Sequence, residues 1–298
     1  MKIEKLVPAY KDYIWGGEKL KEKYGKQTTL SPCAESWELS FHKDGLTRLN
    51  NGKTLLESVI GQDLGENAEK FPFFPMLIKF IDAKQNLSMQ VHPSDEYALK
   101  HENSFGKTEM WYIAEAEQGA GIYLGFNREV TKDEFERAIK EQRLTELLNF
   151  YEVKAGDCYF IPSGTIHAIG AGCLICEIQQ NSNLTYRVYD YGRKDKNGNE
   201  RELHIDKALC VTDLHKFEPV HFEDGILGQS EYFTVQKYEV KKELTLNATK
   251  QSFQCVICVK GNGYIDGEKM RLGDAYFVPA NYGEYSITGN VEIIVAKV

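Results

Sequence analysis

The stretch GDCYFIPSGTIHAIGAGCLICEIQQNSNLTYR, residues 156–187, decides how the rest of the chain is read. Glycine and proline punctuate it, and His167 follows the turn Pro162-Ser163-Gly164. A turn of that composition holds the imidazole rigidly between two short strands. Upstream, Gln90-Val91-His92-Pro93 and Lys107-Thr108-Glu109 place polar residues two apart, so each pair shares one face of a strand. A lone histidine is more often a satisfied polar residue than a ligand. Two imidazoles and one carboxylate together suit a borderline cation such as Zn²⁺, with a position open to water or substrate oxygen.

Outward from this stretch, Gly156-Asp-Cys-Tyr-Phe-Ile-Pro162 recurs as Gly273-Asp-Ala-Tyr-Phe-Val-Pro279, and the place of His167 falls on Glu284. Internal duplication predicts two related β units. The second has no histidine after Ser230 and is expected to be structural. Many short strands with glycine turns predict a mainly β fold of the jelly-roll type. Strands are expected at 35–40, 74–80, 86–92, 109–114 and 121–126, and the remainder of residues 1–50 is read as irregular. The period changes over 131–150, where Phe135, Ile139, Leu144, Leu147 and Leu148 recur at helical spacing behind a capping start at Thr131 and Glu134. A helical insertion is expected there, with shorter helices at 54–63 and after Ser94. A polar loop is expected at 194–199. A connector at 215–230 sets the expected division into a catalytic barrel, 1–220, and a degenerate C-terminal β domain, 221–298.

The 298 residues are 42% hydrophobic and 27% charged, ordinary for a soluble globular protein. A net charge of −8 argues against nucleic acid as the main partner. A small phosphorylated ligand needs only a few local cations. No run approaches the roughly 20 apolar residues of a spanning helix, and the first residues lack the apolar core of a signal peptide. A cytoplasmic protein with no membrane partner is expected. The seven cysteines include two CxxC pairs, Cys173/Cys176 and Cys255/Cys258, in apolar runs. In a strand, positions i and i+3 point to opposite faces, so these are read as small core residues rather than a zinc ribbon.

Gly156-x5-Pro162-x-Gly164-x2-His167 matches the second motif of the cupin superfamily, without the asparagine usual after the histidine. The common His-x-His of the first motif is replaced by Gln90-Val91-His92, with Glu109 following at a distance. With Trp15-Gly16-Gly17, Glu35-Ser36-Trp37-Glu38, Leu87-Ser88-Met89 and Gly106-Lys107-Thr108-Glu109-Met110-Trp111-Tyr112, the pattern resembles the type I mannose-6-phosphate isomerase family in its short bacterial form, over most of the chain. The resemblance implies a cupin-type double-stranded β-helix and one Zn²⁺ per subunit. It implies an aldose–ketose isomerase that interconverts mannose 6-phosphate and fructose 6-phosphate through a cis-enediol, with this small sugar phosphate as partner.

The metal ligands so implied are His92, Glu109 and His167, with Gln90 as a further oxygen ligand. Arg187 matches the family's active-site arginine, and it suits enediolate charge, the phosphate or a structural salt bridge. Glu177 matches a glutamate considered as the base. Lys107 shares the inward face of Glu109 and suits electrostatic, proton-transfer or substrate-binding work. Ser88, on the face of Gln90 and His92, suits a phosphate contact. Arg193 and Lys194 are further cations or merely loop charges. Asn183 stands where longer relatives carry an aspartate. His42, His101, His204, His215 and His221 show no ligand pattern. An iron-dependent oxygenase and a sugar-phosphate-binding module compete with the isomerase. The cations favour an anionic sugar, and the complete ligand set argues against a degenerate module.

Overall fold

A computed structural model describes residues 1–194 and 197–298; the centre of the polar loop expected at 194–199 lies outside the described residues. Among the described residues the strands form three antiparallel sheets, of nine, six and five strands. The six-stranded sheet runs Cys158–Ile161, Glu109–Ala116, Cys173–Gln180, Met76–Ala83, Glu35–Leu39 and Ala9–Lys11 in spatial order. The five-stranded sheet runs Tyr186–Tyr189, Met89–Val91, His167–Ile169, Gly121–Phe126 and Leu148–Glu152.

Strand parity sorts the core. Every residue of Met76–Ala83 and Cys173–Gln180 is buried, as expected of strands covered on both faces. Their even-numbered residues Met76, Ile78, Phe80, Leu174, Cys176 and Ile178 join a cluster that continues into the C-terminal sheet through Val235, Cys255, Ile257, Phe277 and Ile294. Their odd-numbered residues Ile81, Ala83, Cys173 and Ile175 pack with Ile122, Leu124 and Ile169 of the five-stranded sheet. The two smaller sheets therefore face each other, and the large sheet covers the back of the six-stranded one. Cys173 and Cys176 lie in different clusters, as do Cys255 and Cys258. Each CxxC pair is thus split across its sheet, and burial pushes all four thiols up.

The repeat is carried by matching backbone geometry. Gly156 and Gly273 both have positive φ, +97° and +85°. Their amides donate to Ile113 and Cys258 carbonyls on the neighbouring strands. Asp157 accepts from the Lys154 amide and Asp274 from the Arg271 amide, each at 2.9 Å. Gly164 (φ +87°) is matched by Asn281 (φ +59°), a residue that tolerates the left-handed region. Glu284, at the place of His167, is exposed.

Two expectations are corrected. The insertion at 131–150 is helical only over Lys132–Lys140, with the Thr131 side chain accepting from the Glu134 amide. Gln142 then takes φ +56°, which a helix does not continue through. Leu144–Leu147 is a single 3₁₀ turn and Leu148–Glu152 an edge strand. The apolar spacing was right about burial, since Phe135, Ile139, Leu144, Leu147 and Leu148 share one cluster with Met89 and Val91. It did not distinguish one helix from a helix, turn and strand wrapped around the same core. The first 50 residues are also less irregular than expected: Glu4–Val7 pairs with Ala275–Val278 and so completes the C-terminal sheet.

Because one apolar cluster spans the six-stranded and C-terminal sheets, the chain should unfold as one unit. Phe253→Ala, at a fully buried ring stacked 5.3 Å from Phe277, should cost about 3–5 kcal/mol. Denaturant titration followed by tryptophan fluorescence and by circular dichroism should give coincident single transitions.

Candidate metal centre and active site

Two cross-strand rows face each other across the interior. On the five-stranded sheet, Gln90 is registered against His167 on one side and Arg187 on the other. On the six-stranded sheet, Trp37, Lys79, Glu177 and Trp111 follow one another across four adjacent strands. Glu109 and Lys107 lie on the same odd-numbered parity as Trp111, so both enter the interior. The Gly164 turn is tied to the site, since its amide donates to the His92 carbonyl at 2.8 Å.

His92, Glu109 and His167 are fully buried, and one ligand atom from each lies within 4.8 Å of the others. The orientation of both rings is set by backbone. His92 Nδ1 lies 2.8 Å from the Leu184 carbonyl and His167 Nδ1 lies 2.9 Å from the Thr165 carbonyl. A carbonyl can only accept, so each Nδ1 carries the proton and each Nε2 presents a lone pair inward. His92 Nε2 is 3.3 Å from Glu109 Oε1, and His167 Nε2 is 3.7 Å from Glu109 Oε2. Gln90 reaches His167 Nε2 through its amide at 3.4 Å.

Three observations fit this set to a divalent cation. Glu109 Oε2 is buried without a hydrogen-bond partner, an uncommon and costly condition. The donors are two neutral imidazoles and a carboxylate, a set suited to a catalytic metal site. A positive group is already accepted there: the Lys107 ammonium donates to Glu109 Oε1 and lies 3.3 Å from His92 Nε2. Burial is the strongest single influence and would raise the Glu109 carboxyl, but the Lys107 ammonium together with His92 and His167 more than offsets it and holds the group well below the usual range. Burial pushes His92 down to about 3 and lowers His167 as well. Both imidazoles are therefore neutral, as ligation requires.

Beside the triad lies a cavity of about 340 Å³, lined among others by Ser88, Gln90, Lys107, Glu177 and Arg187. All the proposed non-metal site residues thus meet at one place. Arg187 Nε donates to Ser88 Oγ at 3.2 Å, and its Nη1 donates to the Glu202 carbonyl at 3.0 Å. Glu177 Oε2 accepts from Trp111 Nε1 at 3.0 Å. Its Oε1 is buried without a well-aligned hydrogen bond, 3.3 Å from the Lys79 ammonium. Burial first, and Glu109 second, raise the Glu177 carboxyl. Arg193 does not line the cavity; its guanidinium serves the Asp190 carboxylate.

Sequence reasoning missed Glu35, Lys79, Arg201 and His204, all on the cavity wall. Lys79 had a signal, being the lone charge in the apolar run 74–80. Burial would lower its ammonium, but Glu35 and Glu177 more than offset burial and keep it charged. Arg201 had none. It reaches the site because Asp190 holds its Nε at 2.7 Å and Nη2 at 2.5 Å. His204, one of the histidines without a ligand pattern, accepts from the Arg187 amide through Nδ1 at 3.3 Å, at the edge of the cavity.

Fold and site together define a cupin-type protein with a two-histidine, one-glutamate candidate metal centre and a cation-rich cavity. Residues 3–120 match the family model described as phosphomannose isomerase type I, catalytic domain, and residues 225–298 match that of the mannose-6-phosphate isomerase cupin domain. Mannose-6-phosphate isomerase ManA of Bacillus subtilis is 38% identical, over 97% of this chain and 96% of its own. The mannose-6-phosphate isomerase of Streptococcus mutans is 36% identical, over 94% and 93%. The crystal structure of the mannose 6-phosphate isomerase from Bacillus subtilis superposes with a TM-score of 0.90 at 33% identity, covering 100% of both chains. The chain belongs to the type I mannose-6-phosphate isomerase family, metal-dependent aldose–ketose isomerases that interconvert mannose 6-phosphate and fructose 6-phosphate.

The buried histidines set a pH dependence. His92 keeps a folded value of about 3, whereas in the unfolded chain it returns to about 6.5. Between these values the unfolded state binds a proton that the folded state refuses, so stability falls as pH falls. The melting temperature of the metal-free protein should drop as pH is lowered from about 6.5, and His92→Gln should flatten that dependence. Equal slopes in both proteins would mean that His92 is not held neutral.

Proposed function

We propose that this chain isomerises mannose 6-phosphate and fructose 6-phosphate at one zinc ion per subunit, held by His92, Glu109 and His167 with Gln90 as an oxygen ligand. The observation that carries this is the convergence of the three ligand atoms, with both imidazole tautomers fixed by backbone carbonyls, beside a cavity edged by arginines. Zinc bound there supplies a Lewis acid that polarises the C1 and C2 oxygens of the open-chain sugar.

The protein's own groups do the rest. Glu177 is the base that carries the proton between C1 and C2; its carboxyl, raised by burial, and its Oε1, which no hydrogen bond holds, suit gain and loss of a proton. Lys107 stabilises the negative charge that develops on the cis-enediol and assists proton transfer. Arg187, bonded to Ser88 and one strand from Gln90, stands between the reacting end and the phosphate end. Burial and the neighbouring Arg201 both press against the Arg187 charge, so an anion between the two guanidiniums is favoured. Arg187, Arg201 and Ser88 therefore receive the phosphate, which fixes the reacting carbons relative to Glu177.

The chain divides functionally near residue 220 into a catalytic unit and a degenerate β unit without ligands, a division supported by the separate family model over 225–298. The location we propose is the cytoplasm. No helix among the described residues is long and apolar enough to cross a membrane.

A coupled assay with mannose 6-phosphate should show turnover that chelation abolishes and Zn²⁺ restores. Full activity in metal-stripped enzyme would sink the metal assignment. Glu177→Gln should keep its metal and lose kcat by about 10²–10⁴-fold. Arg201→Met should keep its metal and raise KM for mannose 6-phosphate while weakening inhibition by inorganic phosphate. Unchanged inhibition would remove Arg201 from the phosphate end.

A further inference from the structure

Outside the cavity, one carboxylate joins three parts of the chain. Asp95 opens the helix Asp95–His101, directly after the Ser94 cap. Its Oδ1 accepts from the Gly106 amide at 2.6 Å and from Gln180 Nε2 at 3.0 Å. Its Oδ2 accepts from the hydroxyl of Tyr232, which lies in the C-terminal unit between the strands Ile226–Gln229 and Thr234–Val240. Both oxygens are therefore committed.

What Asp95 holds is the approach to the metal centre. Gly106 immediately precedes Lys107, and the Lys107 amide donates to the Pro93 carbonyl at 3.1 Å. The backbones of 93–95 and 106 cross so closely that a Cβ on Gly106 would lie 2.5–2.6 Å from backbone atoms of Pro93, Ser94 and Asp95. Gln180, already bonded to Asp95, accepts from the Thr108 amide at 2.7 Å through Oε1, and its own amide donates to the Thr108 carbonyl at 3.0 Å. The segment 106–109 is thus gripped on both sides, by 93–95 and by Gln180. It delivers Lys107 and Glu109, while the other crossing backbone carries His92.

We propose that Asp95, anchored by Tyr232 of the C-terminal unit, is a positioning residue that sets Lys107 and Glu109 against His92. Through it the C-terminal unit, which lacks ligands of its own, governs the geometry of the metal centre. A carboxylate rather than an amide is required, because all three donors need an acceptor and Asn would offer only one oxygen. The turnover arm of the test rests on the isomerase reading; the metal-release arm does not.

Tyr232→Phe removes one hydroxyl from a partly buried ring and Asp95→Asn removes one acceptor, so both variants are expected to fold. Each is loaded with Zn²⁺, and three quantities are read: the rate of metal release into a chelator, kcat and KM for mannose 6-phosphate, and the melting temperature of the metal-free form. Release should quicken by about tenfold in Asp95→Asn, with a smaller rise in Tyr232→Phe, in line with the cost of disturbing groups that orient ligands. Lower kcat with KM within about twofold should accompany it. A lower melting temperature with parental release rates and kcat would make the contact purely structural and overturn the proposal. Parental release in Tyr232→Phe alone would equally overturn the link to the C-terminal unit. A parent enzyme inactive on mannose 6-phosphate would count against the proposed function, leaving the release rates to decide this inference.

Discussion

A charge on a strand covered on both faces cannot be turned to water, so it must be answered by another charge or by a metal. The six-stranded sheet is built under that constraint. Its inner face carries Glu35, Lys79, Lys107, Glu109 and Glu177, all buried. Lys79 sits between Glu35 and Glu177, and Lys107 lies against Glu109. The two tryptophans of the row add a hydrogen bond to each carboxylate, Trp37 donating to Glu35 Oε2 and Trp111 to Glu177 Oε2. What stays without a hydrogen bond is one oxygen of Glu109 and one of Glu177, the latter 3.3 Å from the Lys79 ammonium. The first lies 3.7 Å from His167 Nε2, and the second belongs to a residue on the cavity wall.

The opposite sheet supplies the complementary constraint, which is orientation rather than charge. Short strands and tight turns leave the imidazoles no freedom, because each ring is pinned at Nδ1 by a carbonyl from a loop. Ligation then costs little further ordering, a form of preorganisation. The price appears as depressed basicity in both histidines, caused first by burial.

The second β unit shows the same fold put to a different use. It repeats the glycine turn, the aspartate that closes it and the left-handed position that follows. At the place of His167 it exposes Glu284 instead. Its interior is apolar, filled by Val256, Cys258, Ile287 and Ile293, and its other face covers the even-numbered side chains of the catalytic sheet. Duplication therefore supplied a cover for a sheet that would otherwise expose a row of large apolar residues.

The amino-acid sequence alone determined the mainly β class, the repeat, the inward parity of Lys107 with Glu109, and the trio His92, Glu109 and His167 that the fold brings together. These follow from period-two alternation and from turn residues, which act over a few positions. The splitting of each CxxC pair across its sheet was legible for the same reason. The insertion at 131–150 was legible only as buried, since apolar spacing records which residues face the core and not the backbone path between them. Arg201, His204 and the row from Trp37 to Trp111 were decided by tertiary structure. Their partners lie far away in sequence, Asp190 for Arg201 apart, and only strand register brings Lys79 beside Glu177 or Gln90 beside Arg187. Local residues choose which side of a strand a group faces; pairing between distant strands chooses what it meets there.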